Sequence, residues 1–442
     1  MDSLTIAGIM ILLLFVVVVS GVFVGIGLSF LSVVGLWWIS GDLSVAANLV
    51  GSTTYNALMD YVFGVVPFFV SMGLLANISG ASTDLYTAFN LVTRRIRGGL
   101  GVATVFANAV FAAITGVSVA SAAVFSKVSL PEMLKHGYNR KFALGVVAGS
   151  SVLGMLIPPS ILFVIYGVIS EEAIGRLLIA GILPGLVLTA IYSVGITIMV
   201  RRKPELVMAE GANGTLMLPR LPAREYLRAF SSCWGIVALI LITLGGIWAG
   251  FFTPTEAGAV GAFGALVLGL VKRKVSFSGF WEVLLETGIV TAGIFFLLIS
   301  AQMYSRMLAL SGLVEWGSKF VISLNFPPLA VILMFIIVWL ILGCLIDSAS
   351  IMLLTLPLMI PIVKELGYSL IWFGVVSVIV IEMGLLTPPF GMVVFAMKSA
   401  LGGEVKIEEI FQGSYPFLLM MALATVIIIA FPILSTWLPS LM

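Results

Sequence analysis

The sequence predicts an all-α polytopic membrane protein made of two inverted-topology repeats, each with five spans and one re-entrant hairpin. Three observations predict it. The 442-residue chain is 61% hydrophobic and 10% charged, against about 45–50% and about 25% in an ordinary soluble domain. Apolar stretches long enough to cross ~30 Å of hydrocarbon recur from Leu4 to Leu438. The chain also resembles itself, breaks included, at an offset of 230 residues.

The same composition excludes several function classes. A net charge of +2, from 22 basic and 20 acidic residues, is too small for nucleic-acid binding. Cys233 and Cys344 lie in apolar surroundings without CxxC spacing, so neither a disulfide framework nor a thiolate metal site is expected. His136 is the single histidine, and no GxxxxGK[ST] loop occurs, which argues against zinc-protease, Ser-His and ATP-binding chemistry. No enzyme activity is expected. Leu4 to Val19 could pass for a secretory signal, but Asp2 precedes it without a basic residue and apolar sequence resumes after Gly21, so a retained helix is expected.

Spans near 4–20, 22–40 and 60–79 carry the chain from an outside N-terminus to the basic block Arg94, Arg95 and Arg97. The further blocks around Lys135 to Lys141, Arg201 to Lys203, Arg220 to Arg228 and Lys272 to Lys274 belong in the cytoplasm by the positive-inside rule. The segment of about 98–135 begins and ends beside basic residues and is interrupted at Thr115-Gly116-Val117-Ser118. It reads as a hairpin that re-enters the same face. Non-helical backbone at that depth is tolerated only where protein buries it or a wet cavity adjoins it, so the tip is a site candidate. A broken span follows over about 142–170, interrupted at Ile157-Pro158-Pro159-Ser160, then a span near 178–199. This first repeat covers 1–200. The Pro-containing stretch 201–230 is the expected cytoplasmic linker.

The second repeat, 231–442, has spans near 233–249, 256–271 and 288–306, a hairpin over about 326–364, a broken span over about 370–398 and a last span near 414–438. At the common offset Pro131 meets Pro361, Gly154 meets Gly384, Pro158-Pro159 meet Pro388-Pro389, and Ser118 meets Ser348. Chance overlap of apolar sequence explains Leu and Val matches but not three coincident prolines. The second hairpin's ends are nearly uncharged where the first's are basic, so the repeats are inverted and both termini are predicted periplasmic. Amphipathic pieces at 81–93, 276–287 and 404–412 are expected to lie at the interface.

Inverted repeats with paired discontinuous helices are the architecture of secondary transporters, with sites at the breaks near the midplane. Helix N-termini there suit an anionic substrate. Freed carbonyls and hydroxyls can replace the water shell of a small cation, sodium being the obvious one. Asp347 lies in the apolar run Leu329 to Leu358, where a carboxylate costs about 2.5–3.5 kcal/mol on insertion scales and needs a partner. It serves either as an ion ligand or as the N-cap of the second hairpin leg, and the two roles are compatible. Ser118, Ser121, Ser348 and Ser350 at the tips, and Ser151 ahead of Pro158, are either ligands or back-bonding helix residues. Glu382 either carries a proton, assists the outer-half site, or is a buried neutral acid or an interhelical hydrogen-bond partner. Glu256 in Thr253-Pro254-Thr255-Glu256 fits helix capping.

The motifs Ile114-Thr115-Gly116-Val117-Ser118-Val119-Ala120-Ser121, Ile157-Pro158-Pro159-Ser160 with Tyr166-Gly167, Leu183-Pro184-Gly185, Phe252-Thr253-Pro254-Thr255-Glu256-Ala257 and Glu382-Met383-Gly384-Leu385-Leu386-Thr387-Pro388-Pro389 occur in order along the whole chain. Together they resemble the large membrane subunit of tripartite ATP-independent periplasmic (TRAP) transporters. The resemblance implies an elevator-type, sodium-coupled importer of organic acids, carboxylates or sulfonates, in the bacterial inner membrane. It also implies two partners, a small four-helix membrane subunit and a periplasmic substrate-binding protein. The substrate-contacting set is then Ser118, Ser121, Ser151, Ser160 and Ser350. The sodium-holding set is Thr115, Gly116, Ser151, Pro158, Asp347, Ser348, Thr387 and Pro388. Where the family often carries Asp, this chain has Ser121, so the paired sites are expected to be chemically unequal. A standalone sodium or proton symporter for dicarboxylates and a passive channel are the competing readings. An intramembrane hydrolase lacks a serine or aspartate pair at catalytic spacing.

Overall fold

The computed structural model describes residues 2–207, 222–324 and 326–442. Residues 208–221, which hold Pro219 and Arg220 of the expected linker, and Asn325 lie outside the described residues. Among the described residues the regular elements are helices, with one isolated bridge between Tyr138 and Val207.

The first half runs α1 (Ser3–Val19), α2 (Val24–Ser40), α3 (Leu43–Met59), α4 (Val65–Ile78), α5 (Ala81–Thr93), α6 (Gly99–Thr115), α7 (Ser118–Val128), α8 (Leu130–Lys135), α9 (Arg140–Ser151), α10 (Leu153–Leu156), α11 (Ile161–Ser170), α12 (Ile174–Ala180) and α13 (Ile182–Arg202). The second half runs α14 (Ala223–Ser232), α15 (Trp234–Trp248), α16 (Pro254–Val271), α17 (Phe277–Leu310), α18 (Leu313–Ser323), α19 (Pro328–Gly343), α20 (Ser348–Glu365), α21 (Leu370–Gly384), α22 (Met392–Leu401), α23 (Ile407–Ala430) and α24 (Ile433–Thr436). Seven helical stretches, within 61–78, 140–170, 174–202, 254–271, 277–310, 348–365 and 407–430, are long and apolar enough to cross a bilayer. With them the chain is a multi-pass membrane protein.

Three elements differ from the sequence reading. One is α23, which runs as a single helix over Ile407–Ala430 where the sequence suggested an interfacial piece at 404–412 and a separate span near 414–438. α3 fills a stretch read as connector. Its Ser, Thr and Asn positions dilute hydropathy, and only Ala46, Thr53 and Ala57 are buried. It forms because Asp42 caps it, accepting the Ser44 N–H at 2.7 Å. It docks on α17, where Arg306 Nη1 donates to Thr53 Oγ1 at 2.9 Å. α17 itself is one helix of 34 residues where the sequence suggested an interfacial piece followed by a span. No proline interrupts it and Ser276 caps it at the Gly279 N–H, so the period runs on. At ~1.5 Å per residue it is about 50 Å long, more than the hydrocarbon thickness, and must tilt or project.

Glu256 does cap: it completes a capping box with Thr253, whose N–H donates to Glu256 Oε2 at 2.8 Å while Glu256 N–H donates to Thr253 Oγ1 at 3.3 Å. The mate prolines Pro131 and Pro361 act differently. Pro131 stands in the first turn of the separate helix α8, whereas α20 runs unbroken through Pro357 and Pro361. Of the remaining packing, the site depends on one pattern. α7, after the first interruption, packs against α22, and α20, after the second, packs against α11. Each leg that follows an interruption in one half therefore rests on a helix that follows a Pro-Pro break in the other.

Candidate substrate and ion site

Helix gives way to extended or turn backbone at 116–117, 157–160, 344–347 and 385–391. At the first tip α6 ends at Thr115, and Gly116 turns the chain with φ +63°. A side chain there would meet the Pro159 carbonyl, so glycine is required on both counts. The Gly116 carbonyl in turn accepts the Ile161 N–H at 3.4 Å, which ties the tip to the start of α11. Near the equivalent place in the second half, the Cys344 carbonyl accepts the Phe390 N–H at 3.2 Å. The Pro158-Pro159 and Pro388-Pro389 bonds are both cis. Just ahead of each Pro-Pro pair a glycine packs against the earlier interruption of the same half. Gly384 lies against the Gly343 backbone, and its mate Gly154 against Val117.

The first tip is built from neutral groups. Thr115 back-bonds to the Phe111 carbonyl at 3.2 Å and Ser151 to Ala148 at 2.7 Å. Ser160 caps α11, its Oγ accepting the Phe163 N–H at 3.4 Å. Ser118 and Ser121 are fully buried, and neither hydroxyl has a partner. Pro158 is buried with the whole 151–160 stretch. Because α6, α7 and α9 pack on one another and α10 packs on α6 and α7, Thr115, Gly116, Ser118, Ser121 and Ser151 come from mutually packed elements. A buried residue missed from sequence joins them: Asn108 Nδ2 donates to Ser150 Oγ at 2.6 Å, while its Oδ1 has no partner. Its signal was an isolated amide in an otherwise apolar helix.

The second tip carries charge. Asp347 caps α20, Oδ1 accepting the Ser350 N–H at 3.0 Å and Oδ2 the Ser350 hydroxyl at 2.5 Å. It is half-buried, and the cap bonds hold its carboxylate. Ser350 is fully buried and engaged by that cap. Ser348 donates to Glu382 Oε1 on α21 at 2.8 Å. Thr387 back-bonds to Met383 at 3.0 Å, and Pro388 and Pro389 are exposed, followed by Phe390 at 56% exposure. Glu382, with 0% exposure, accepts from Ser348 of the second tip through Oε1, and its Oε2 has no partner.

No group of three or more His, Cys, Asp or Glu able to hold a metal occurs among the described residues. The donors at the tips are hydroxyls, carbonyls and one half-exposed carboxylate, which is the oxygen chemistry that hard, weakly held cations take.

Residues 11–434 match the family described as tripartite ATP-independent periplasmic transporter, DctM component. The chain is 34% identical over 382 residues to the C4-dicarboxylate TRAP transporter large permease protein DctM of Pseudomonas aeruginosa, covering 86% of each. It is 29% identical to the sialic acid TRAP transporter large permease protein SiaM of Vibrio cholerae, over 90% of this chain and 91% of that one. It is 26% identical to the isethionate TRAP transporter permease protein DctMQ of Oleidesulfovibrio alaskensis, over 97% of this chain and 64% of that one. Among solved structures, the YdaH transporter of Alcanivorax borkumensis superposes with a TM-score of 0.58 over 87% of both chains at 18% identity, a likeness of fold.

Proposed function

The chain belongs to the family of large membrane subunits of tripartite ATP-independent periplasmic transporters, transport proteins rather than enzymes, and from that premise we propose that it imports organic acids across the bacterial inner membrane, driven by sodium. The reciprocal packing of α7 on α22 and of α20 on α11 carries this reading. It is the arrangement expected of two inverted repeats that bring four backbone breaks to one place. α7 and α20 both begin at the tips, so their free N–H groups offer partial positive charge to a carboxylate or sulfonate. Substrate then contacts Ser118, Ser121, Ser151, Ser160 and Ser350. Sodium is held by carbonyls and side-chain oxygens at Thr115, Gly116, Ser151, Pro158, Asp347, Ser348, Thr387 and Pro388.

In this reading the hairpins 98–135 and 326–364 and the broken spans 142–170 and 370–398 move together as an elevator against the remaining spans. Sodium orders the tips, and the ordered tips complete the substrate pocket. The unpartnered Ser118 and Ser121 hydroxyls support a ligand in the first half, since buried polar atoms are ordinarily paired. A small four-helix membrane subunit braces the scaffold, and a periplasmic binding protein delivers the acid. Relatives named for a dicarboxylate, sialic acid and isethionate share an anionic group and little else, which favours assigning selection of the acid to the binding protein. Both termini are periplasmic.

Uptake into reconstituted vesicles tests the reading, with and without the two partners, across carboxylates and sulfonates. Accumulation that needs an inward sodium gradient and both partners is expected. Flux indifferent to collapse of the gradient makes the protein a passive channel, and uptake without partners makes it a standalone symporter. For orientation, a cysteine replacing exposed Lys203 should react in intact cells with permeant maleimides only. Labelling by an impermeant one inverts the topology.

A further inference from the structure

We propose that α14 is a docking helix for anionic phospholipid, Arg224 pairing with the headgroup phosphate and the exposed apolar stripe beyond it taking the acyl chains. α14 lies within the stretch that the sequence marks as linker, and it leads into α15 through a bend of 49°. Its residues sort into two faces. Ala229 is half-buried against the core, and Cys233 just past the helix end is buried, its Sγ donating to the Ala229 carbonyl at 3.6 Å. Leu227, Phe230 and Trp234 turn outward, exposed by 72%, 46% and 58%. At 3.6 residues per turn these three positions share one face, and the exposed Val237 and Leu241 of α15 prolong it. Arg224, also exposed, stands three residues ahead of Leu227 on that face, whereas Glu225 falls on nearly the opposite one.

The helix is held from behind. Lys272, which follows α16, donates to Asp84 Oδ2 on α5 at 2.5 Å and to the Ser232 carbonyl at the end of α14 at 3.3 Å, and α14 packs against α5. The charge of Lys272 is thereby engaged; among the described residues Arg224 has no acidic partner. The holding elements add further cations. Arg95 and Arg97 follow α5, and Arg273 and Lys274 follow Lys272, all four exposed. A basic amphipathic helix at a membrane boundary fits an anionic lipid surface, because the chains cover its apolar face while the phosphate meets its cation. Neither half suffices alone. A zwitterionic headgroup brings its own cation beside the phosphate, and free phosphate leaves Leu227, Phe230 and Trp234 in water.

The inference needs a membrane boundary at α14 but neither the transport cycle nor a chosen orientation, so lipid contact is its readout. Full-length protein is reconstituted in phosphatidylcholine vesicles containing either brominated phosphatidylglycerol or the same fraction of brominated phosphatidylcholine. The fluorescence of Trp234 is taken as wild type minus Trp234→Phe. Its quenching should be stronger with brominated phosphatidylglycerol, should lose that preference as salt is raised, and should keep it in excess inorganic phosphate. Arg224→Gln should lower the apparent affinity for phosphatidylglycerol about fivefold and leave quenching by phosphatidylcholine unchanged, while Arg224→Lys should stay near wild type. Equal quenching by the two lipids, a wild-type preference in Arg224→Gln, or a preference erased by inorganic phosphate would each overturn the proposal. So would the absence of quenching by either lipid, or its loss when the small membrane subunit is added, since protein would then cover the stripe.

Discussion

The two tips share a backbone design and differ in chemistry. Each ends a helix, crosses a few non-helical residues, starts a new helix at a serine, and is tied by a backbone hydrogen bond to the chain just beyond a Pro-Pro pair. The first is closed and neutral: Thr115, Ser118 and Ser121 are buried and so is Pro158. The second is open and charged: Asp347 is half-exposed, and Pro388 to Phe390 face outward. The difference teaches that similar backbone geometry can host either set of oxygens, the charged one standing at the less buried tip. A carboxylate survives where water or a mobile cation reaches it, whereas a buried tip is restricted to hydroxyls and carbonyls.

The largest expected effect breaks the comparison at its charged member. Asp347→Ala should reduce sodium-driven uptake to background with membrane insertion intact. Asp347→Asn should keep the α20 cap and still fail in uptake. Wild-type rates in either variant would make the two tips equivalent. Next in size, the mate glycines should differ. A Cβ at Gly384 would come within 2.6 Å of the Gly343 backbone, whereas one at Gly154 would find its nearest backbone atoms at 3.0 Å. Gly384→Ala should then cost about 1–3 kcal/mol, read as a lowered melting midpoint, and Gly154→Ala visibly less. Equal midpoints would mean that the two halves pack alike. The smallest effect on stability belongs to Ser121→Ala. Its hydroxyl has no partner to lose, so the midpoint should stay within the equivalent of about 0.5 kcal/mol, while uptake falls several-fold. Unchanged uptake would return Ser121 to a packing role.

The breaks were legible because glycine and proline carry backbone shape in their identity. Gly116 and the two Pro-Pro pairs mark non-helical chain wherever they stand in an apolar run. Asp347 was legible as a lone charge in such a run, and its dual reading narrowed once the cap bonds to Ser350 were seen. α3 was not legible, since its tertiary contacts with α17 and α2 hold a helix whose own apolar stripe is thin. Asn108 stayed hidden for a related reason: its partner Ser150 lies 42 residues away, and hydropathy has no term for who meets whom.

By itself the sequence determined the membrane class, the family and the places where helix must stop, all of which are local properties or similarities readable one residue at a time. Only the tertiary structure decided that Ser348 meets Glu382, that one break is buried and the other open, and that each helix following a tip rests on the opposite half. Burial and partnership are properties of pairs brought together by folding, and in a chain this apolar nearly any pair could be brought together without leaving a mark in composition.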